Sequence, residues 1–147
     1  MSTGRRWCCN FMGITRRDGE TEKKLLESEL TDLIIGKAIV VHSTLGPGLL
    51  ESVYEACLAY ELSEAGLHVE RQKVLPVRYK NINLDDGLRM DLVVENRIIL
   101  ELKCVDTILP VHEAQLQTYL KLSGLRVGLL MNFYTKYLKE GIKRIIF

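Results

Sequence analysis

The sequence has no surplus of charge, no membrane-length apolar run and no cysteine pairing pattern. Twenty lysines and arginines stand against 19 aspartates and glutamates, for a formal net charge of +1. No overwhelming basic field advertises nucleic-acid binding, so any such binding must use a local patch. No apolar stretch reaches the length of a membrane span, and no secretory hydrophobic segment opens the chain. Cys8, Cys9, Cys57 and Cys104 form neither CxxC pairs nor a finger-like Cys/His spacing. That argues against zinc and iron–sulfur sites. With no signal peptide, it points to a reducing cytoplasm, with Cys57 and Cys104 as small buried apolar residues. Repeats and low-complexity tracts are absent too. What is present is 147 residues, 47% hydrophobic and 27% charged, which suits one soluble globular domain with a real core.

Residues 1–27 show no sustained periodicity. They read as a poorly ordered N-terminal extension, or more sharply as an arginine-bearing arm that touches nucleic acid. The domain then occupies 28–147. Helical spacing runs over 29–45, with Thr31 or Ser28 as cap, and "GPG" (Gly46 to Gly48) stops it. A second helix covers 49–66. The period then changes to that of strands: "LHVERQKVLPVRYK", with Pro76 at an edge or bulge, then "GLRMDLVV" and "RIILELKCV". A third helix starts at Pro110 and stops at Gly124, and "LRVGLLMNF" is a fourth strand. The last stretch is a short helix or turn leading into an edge strand. A helix crossing over between the third and fourth strands favours a parallel, right-handed connection. The fold class is α/β, a mixed sheet flanked by helices.

The stretch "RMDLVVENRIILELK" puts charges into strand interiors. Burying them without partners would cost several kcal/mol each, roughly. Glu101 and Lys103 are two apart on a strand and share a face, while Ile98, Leu100 and Leu102 point the other way. An even hairpin register pairs Asp91 with Leu100, and an odd one pairs it with Glu101. Only the odd register puts Leu92, Val94, Ile98 and Leu100 on one common apolar face, so that register is expected. Asp91 and Glu101 would then offer oxygens to magnesium, with a backbone carbonyl from Leu102. Lys103 could orient or help deprotonate a water held there and balance charge on a phosphate. The competing reading is a salt bridge at a strand end. Two further pairs share helix faces: Glu51 with Tyr54 in "GLLESVY", and Gln115 with Tyr119 in "QLQTY". Alone, Glu51 reads as an acid complementing the helix dipole, and Tyr54 as core. His42 and His112 read as hydrogen-bonded structural histidines.

Together these residues resemble a family. "GLLESVY" matches the motif of the GxxExxY proteins, "RMDLVV…ILELK" looks like the metal site of the PD-(D/E)XK nuclease superfamily, and "QLQTY" resembles the QxxxY element of its RecB-like exonuclease branch. The resemblance runs from about Leu30 to the C-terminus, and Met90 stands where the motif has proline. It implies a restriction-endonuclease-like fold and a nuclease dependent on Mg2+ or Mn2+ that cuts nucleic acid, DNA being expected, to leave 5′-phosphate and 3′-hydroxyl ends. It also implies site roles. Asp91 and Glu101 would be metal ligands, with Glu51 approaching the metal directly or through water. Lys103 would be the catalytic lysine, Gln115 and Tyr119 would contact the phosphate, and Gly48 and Tyr54 complete the motif. Arg71, Lys73, Arg78 and Lys80, or Lys136, Lys139, Lys143 and Arg144, are expected to border the site and track a phosphate backbone. The rival reading is a nucleic-acid- or partner-binding module with little catalysis of its own. A small domain without a separate DNA-reading motif also suits a subunit that joins a protein partner or a second copy.

Overall fold

The computed structural model describes Thr21 and residues 27–147. The N-terminal extension expected at 1–27, with Cys8 and Cys9, lies outside the described residues except at Thr21 and Glu27. The chain divides into two compact units, Met1–Leu33 and Ile34–Phe147. In the first, the described residues 27–33 are helical. The Thr31 hydroxyl donates to the Glu27 carbonyl at 2.6 Å, so Thr31 sits inside the helix rather than capping it.

The second unit opens on the remainder of that helix, α1, which runs over 27–45. Ile34, Ala38, Val41 and His42 are its buried positions in this unit, one stripe of a 3.6-residue period. The glycines after it are required by conformation: Gly46 (φ 72°) and Gly48 (φ 100°) occupy left-handed backbone. The turn leads into α2 (Glu51–Glu64). Tyr54 pins it, donating its hydroxyl to the Gly46 carbonyl and accepting from the Leu49 amide at 3.2 Å. The Tyr54 ring is fully buried and stacks on Phe133 at 4.6 Å.

Five strands follow: β1 (Val69–Tyr79), β2 (Ile82–Val94), β3 (Ile98–Lys103), β4 (Val127–Asn132) and β5 (Ile142–Ile146). They lie side by side in chain order. The β3–β4 pair is parallel and the others antiparallel. The crossover between β3 and β4 carries α3 (Pro110–Ser123), with Pro110 in the first turn and Gly124 in left-handed backbone just beyond it. His112 Nδ1 accepts the Leu109 amide at 3.0 Å, satisfying a donor left over at the start of α3. His42 Nε2 meets the Thr135 carbonyl at 2.8 Å, so both histidines have the structural bonds expected of them. Pro76 stands at a register shift between Leu75 and Val77 on the edge strand. Residues 138–141 form a short 3-10 turn ahead of β5. Among the described residues no helix is long and apolar enough to cross a membrane.

The hairpin between β2 and β3 has the odd register, with Leu92 opposite Leu100 and Val94 opposite Ile98, all fully buried. The other face is buried as well: Val93, Ile99 and Leu130 pack with Leu116, Tyr119 and Leu120 of α3. Burial on both sides is what a strand next to a parallel crossover must accept. α3 approaches so closely that a Cβ on Gly128 would lie 2.8 Å from Leu116 Cδ1. Gly128→Ala is expected to cost about 1–3 kcal/mol by overpacking, readable as a fall in melting temperature. An unchanged midpoint would show that Leu116 yields freely.

One irregularity positions the site. The β1–β2 ladder pairs Arg71 with Leu92 and Lys73 with Met90 but skips Gln72 and Asp91 between them. Gln72 has a φ of 48°, left-handed backbone that non-glycine residues seldom adopt. Side chains change phase there. Met90 and Val93, three apart on β2, join one apolar cluster. Glu70 and Lys73, three apart on β1, form an ion pair at 2.8 Å. Regular alternation would put each of these pairs on opposite faces.

Candidate active site

Asp91 lies at that phase change, one residue beyond the last β2–β3 ladder pair, Leu92–Leu100. The register places it across from Glu101, and its carboxylate reaches over β3: Oδ2 accepts the Leu102 amide at 2.9 Å. Glu101 pairs in register with Leu130 of β4, on the face that α3 covers, and is only 3% exposed. Lys103, two residues on, donates to Glu101 Oε1 at 3.1 Å. Burial first, then the Asp91 and Glu51 charges, push the Glu101 carboxyl up to about 7 against the pull of Lys103. Asp91 is also raised, by burial and the Glu55 carboxylate, against the Leu102 amide and Lys103.

Glu51 enters from the first turn of α2. Burial and Asp91 raise its carboxyl, while Lys103 and a hydrogen bond from the Cys104 amide hold it down. Burial opposes the charge on Lys103, yet Glu101, Glu51 and Asp91 together keep its ammonium above the ordinary lysine value. Tyr119 faces this group from α3. Burial and the charge of Glu101 raise its phenol, and its hydroxyl accepts from Gln115 Nε2 at 2.7 Å. Glu51, Asp91, Glu101, Lys103 and Tyr119 thus share one electrostatic neighbourhood, with Gln115 attached through Tyr119. Tyr54 does not join them. It turns into the core, and Gly48 shapes the loop before α2. Cys57 and Cys104 are half-buried rather than fully buried, and burial with the Glu51 charge pushes the Cys104 thiol up to about 11.

Among the described residues, no three acidic, histidine or cysteine side chains form a ready-made metal set. Like charges this near repel, and each acid turns at least one oxygen to a donor on the chain instead. Leu102 presents its amide to the site, to Asp91. One atom nevertheless fits a hard cation. Glu101 Oε2 is buried and has no hydrogen-bond partner among the described residues, and an orphaned carboxylate oxygen beside other acids is what a divalent ion satisfies. Asp91 and Glu101, with Glu51 in the same neighbourhood, offer hard oxygen donors of the kind Mg2+ or Mn2+ takes.

Sequence reasoning missed Glu55 and Gln72. Glu55 is 5% exposed and accepts from Arg71 Nε at 3.1 Å and Gln72 Nε2 at 2.7 Å. The same Gln72 amide reaches Asp91 Oδ1 at 3.3 Å. The spacing of Glu51 and Glu55, one helical turn apart, was the available signal for Glu55. Nothing in the sequence marked Gln72. Of the basic residues, Arg71 is tied to Glu55, Lys73 to Glu70 and Lys143 to Glu113. Arg78, Lys80, Lys136, Lys139 and Arg144 are exposed and form no carboxylate ion pair among the described residues.

In a comparison with known protein families, a model described as the PD-(D/E)XK nuclease superfamily matches residues 28–145. No curated protein and no solved structure matches the chain.

Proposed function

We propose, from the premise that this chain belongs to the PD-(D/E)XK nuclease superfamily, that it is a metal-dependent nuclease acting on DNA that leaves 5′-phosphate and 3′-hydroxyl ends. Within the superfamily we assign it to the GxxExxY proteins and the RecB-like branch, on Gly48, Glu51, Tyr54, Gln115 and Tyr119. The observation that carries the reading is the buried Oε2 of Glu101, without a hydrogen-bond partner among the described residues and beside Asp91 and Lys103.

Asp91 and Glu101 would hold Mg2+ or Mn2+, with Glu51 beside them, and the ion would supply positive charge to the scissile phosphate. The chain does the rest. Asp91 is held by the Leu102 amide, which fixes the direction in which its oxygens face. Lys103 is kept cationic by the surrounding carboxylates, so it acts as an ammonium donor to charge developing on the phosphate. Tyr119 and Gln115, already bonded to each other, present a paired donor and acceptor from α3. Exposed Arg78, Lys80, Lys136 and Lys139 would follow the backbone of the nucleic acid.

The test is cleavage by the purified chain of single- and double-stranded DNA and RNA with Mg2+ or Mn2+, against Asp91→Asn. Metal-dependent nicking lost in the variant is expected, and no cleavage of any substrate would overturn the reading. The rival is a nucleic-acid- or partner-binding module, and binding without cleavage would establish it. Affinity for DNA should fall roughly tenfold or more between 50 and 200 mM salt if several of the free cations meet phosphates. Fluorescence anisotropy reads this, and a flat salt response would remove the basic residues from the interface.

A further inference from the structure

Besides the register shift at Pro76, the β1–β2 ladder omits one facing pair, Gln72 and Asp91. Across from Asp91, Gln72 holds a left-handed backbone at 48°, although glycine would adopt it with less strain. Its amide donates to two carboxylates, Glu55 Oε2 at 2.7 Å and Asp91 Oδ1 at 3.3 Å. Only the nitrogen can face both acids, so the amide orientation is fixed by the chemistry. Glu55 is itself buried and anchored by Arg71. The other Asp91 oxygen is held by the Leu102 amide. Gln72 is solvent-exposed and adds little to the core. A strained, exposed residue whose side chain bridges two acids is more economically explained by the site than by folding.

We infer that Gln72 is a positioning residue for Asp91, with Glu55 as its anchor. It sets the Asp91 carboxylate for the divalent ion, and the inference rests on the metal-dependent reading given above. Glu55 Oε1 and Oε2 take Arg71 and Gln72, so Glu55 serves as support rather than as a ligand. A second-layer amide of this kind orients a carboxylate and holds back its swing, and losing such a group typically weakens metal binding 10–100-fold.

The test is calorimetric titration of the full chain with Mn2+, together with metal-free thermal melts, for wild type, Gln72→Ala and Gln72→Gly. The Mn2+ dissociation constant should rise about tenfold or more in both variants. The metal-free melting temperature should hold in Gln72→Ala and rise in Gln72→Gly, where the backbone strain is relieved. With DNA as substrate, kcat at fixed Mn2+ should fall while KM is unchanged. Wild-type affinity retained by both variants would overturn the inference and leave the nuclease reading standing. Loss of Mn2+ binding that tracks a fall in melting temperature would make Gln72 merely structural and would overturn it too. A wild-type chain that binds no Mn2+ would overturn the metal reading, and this inference with it.

Discussion

Glu101→Gln is expected to raise the melting temperature at pH 8 by roughly 5–10 °C while lowering cleavage about a hundredfold or more. The two effects have one origin. The Glu101 carboxyl is raised from 4.5 to about 7 in the folded chain, first by burial and then by Asp91. For an acid raised on folding, the stability it contributes is complete below the unfolded value and is lost as pH climbs through the folded one. At about 1.36 kcal/mol per pKa unit, charged Glu101 costs on the order of 3 kcal/mol above pH 7. Glutamine keeps the shape without the charge, and Lys103 still has Glu51 and Asp91 as neighbours. Melts between pH 4 and 9 should show the two proteins diverging through about pH 7 and converging in acid. Millimolar Mg2+ or Mn2+ should raise the wild-type midpoint by binding only the folded state and leave the variant unmoved. Parallel curves across the range would show that Glu101 is better solvated than its burial indicates.

Lys103→Ala should have the opposite effect on stability at the same pH. It removes the cation from beside three acids, and a buried charge left unpaired costs about 3–5 kcal/mol. The loss should be large at pH 8 and shrink toward pH 5, as Glu101 takes up its proton. Cleavage should disappear, but much of the metal-induced rise in melting temperature should remain, because an ammonium is no metal ligand. Combining Lys103→Ala with Glu101→Gln should recover most of the lost stability and none of the activity. A double variant as unstable as Lys103→Ala alone would show that the lysine stem, not its charge, holds this end of the sheet.

The hairpin carrying Asp91 and Glu101 was legible because a strand repeats every two residues. Only one register buries Leu92, Val94, Ile98 and Leu100 together, and that register is present. Helix ends were legible where backbone conformation demands a residue type, at Gly46, Gly48 and Gly124, or permits one, at Pro110. Alternation failed at Gln72, where both β1 and β2 change phase. A glutamine in left-handed backbone leaves no trace in composition. Tyr54 and Glu51 share a helix face yet part company, because the tyrosine ring finds Phe133 while the carboxylate reaches the Cys104 amide. Periodicity could place Glu51 on a face but could not bring α2 to the sheet. Nor could it foresee how the acids distribute themselves among local donors.

The strand β2 has thirteen residues but shares a ladder with β3 only from Leu92 to Val94. Its earlier part pairs with β1 alone, and Tyr79, Ile82 and Leu84 near its tip are exposed. A two-stranded ribbon without a third strand is marginal in water. The same strand should therefore report two opening energies in amide hydrogen exchange. Amides around the tip, from Val77 to Leu84, should exchange through local fraying within the native state. Those of Val93, Val94 and Ile99 should wait for global unfolding. The slow regime should begin near Asp91, so its carboxylate would stand at the seam between a breathing arm and a locked core.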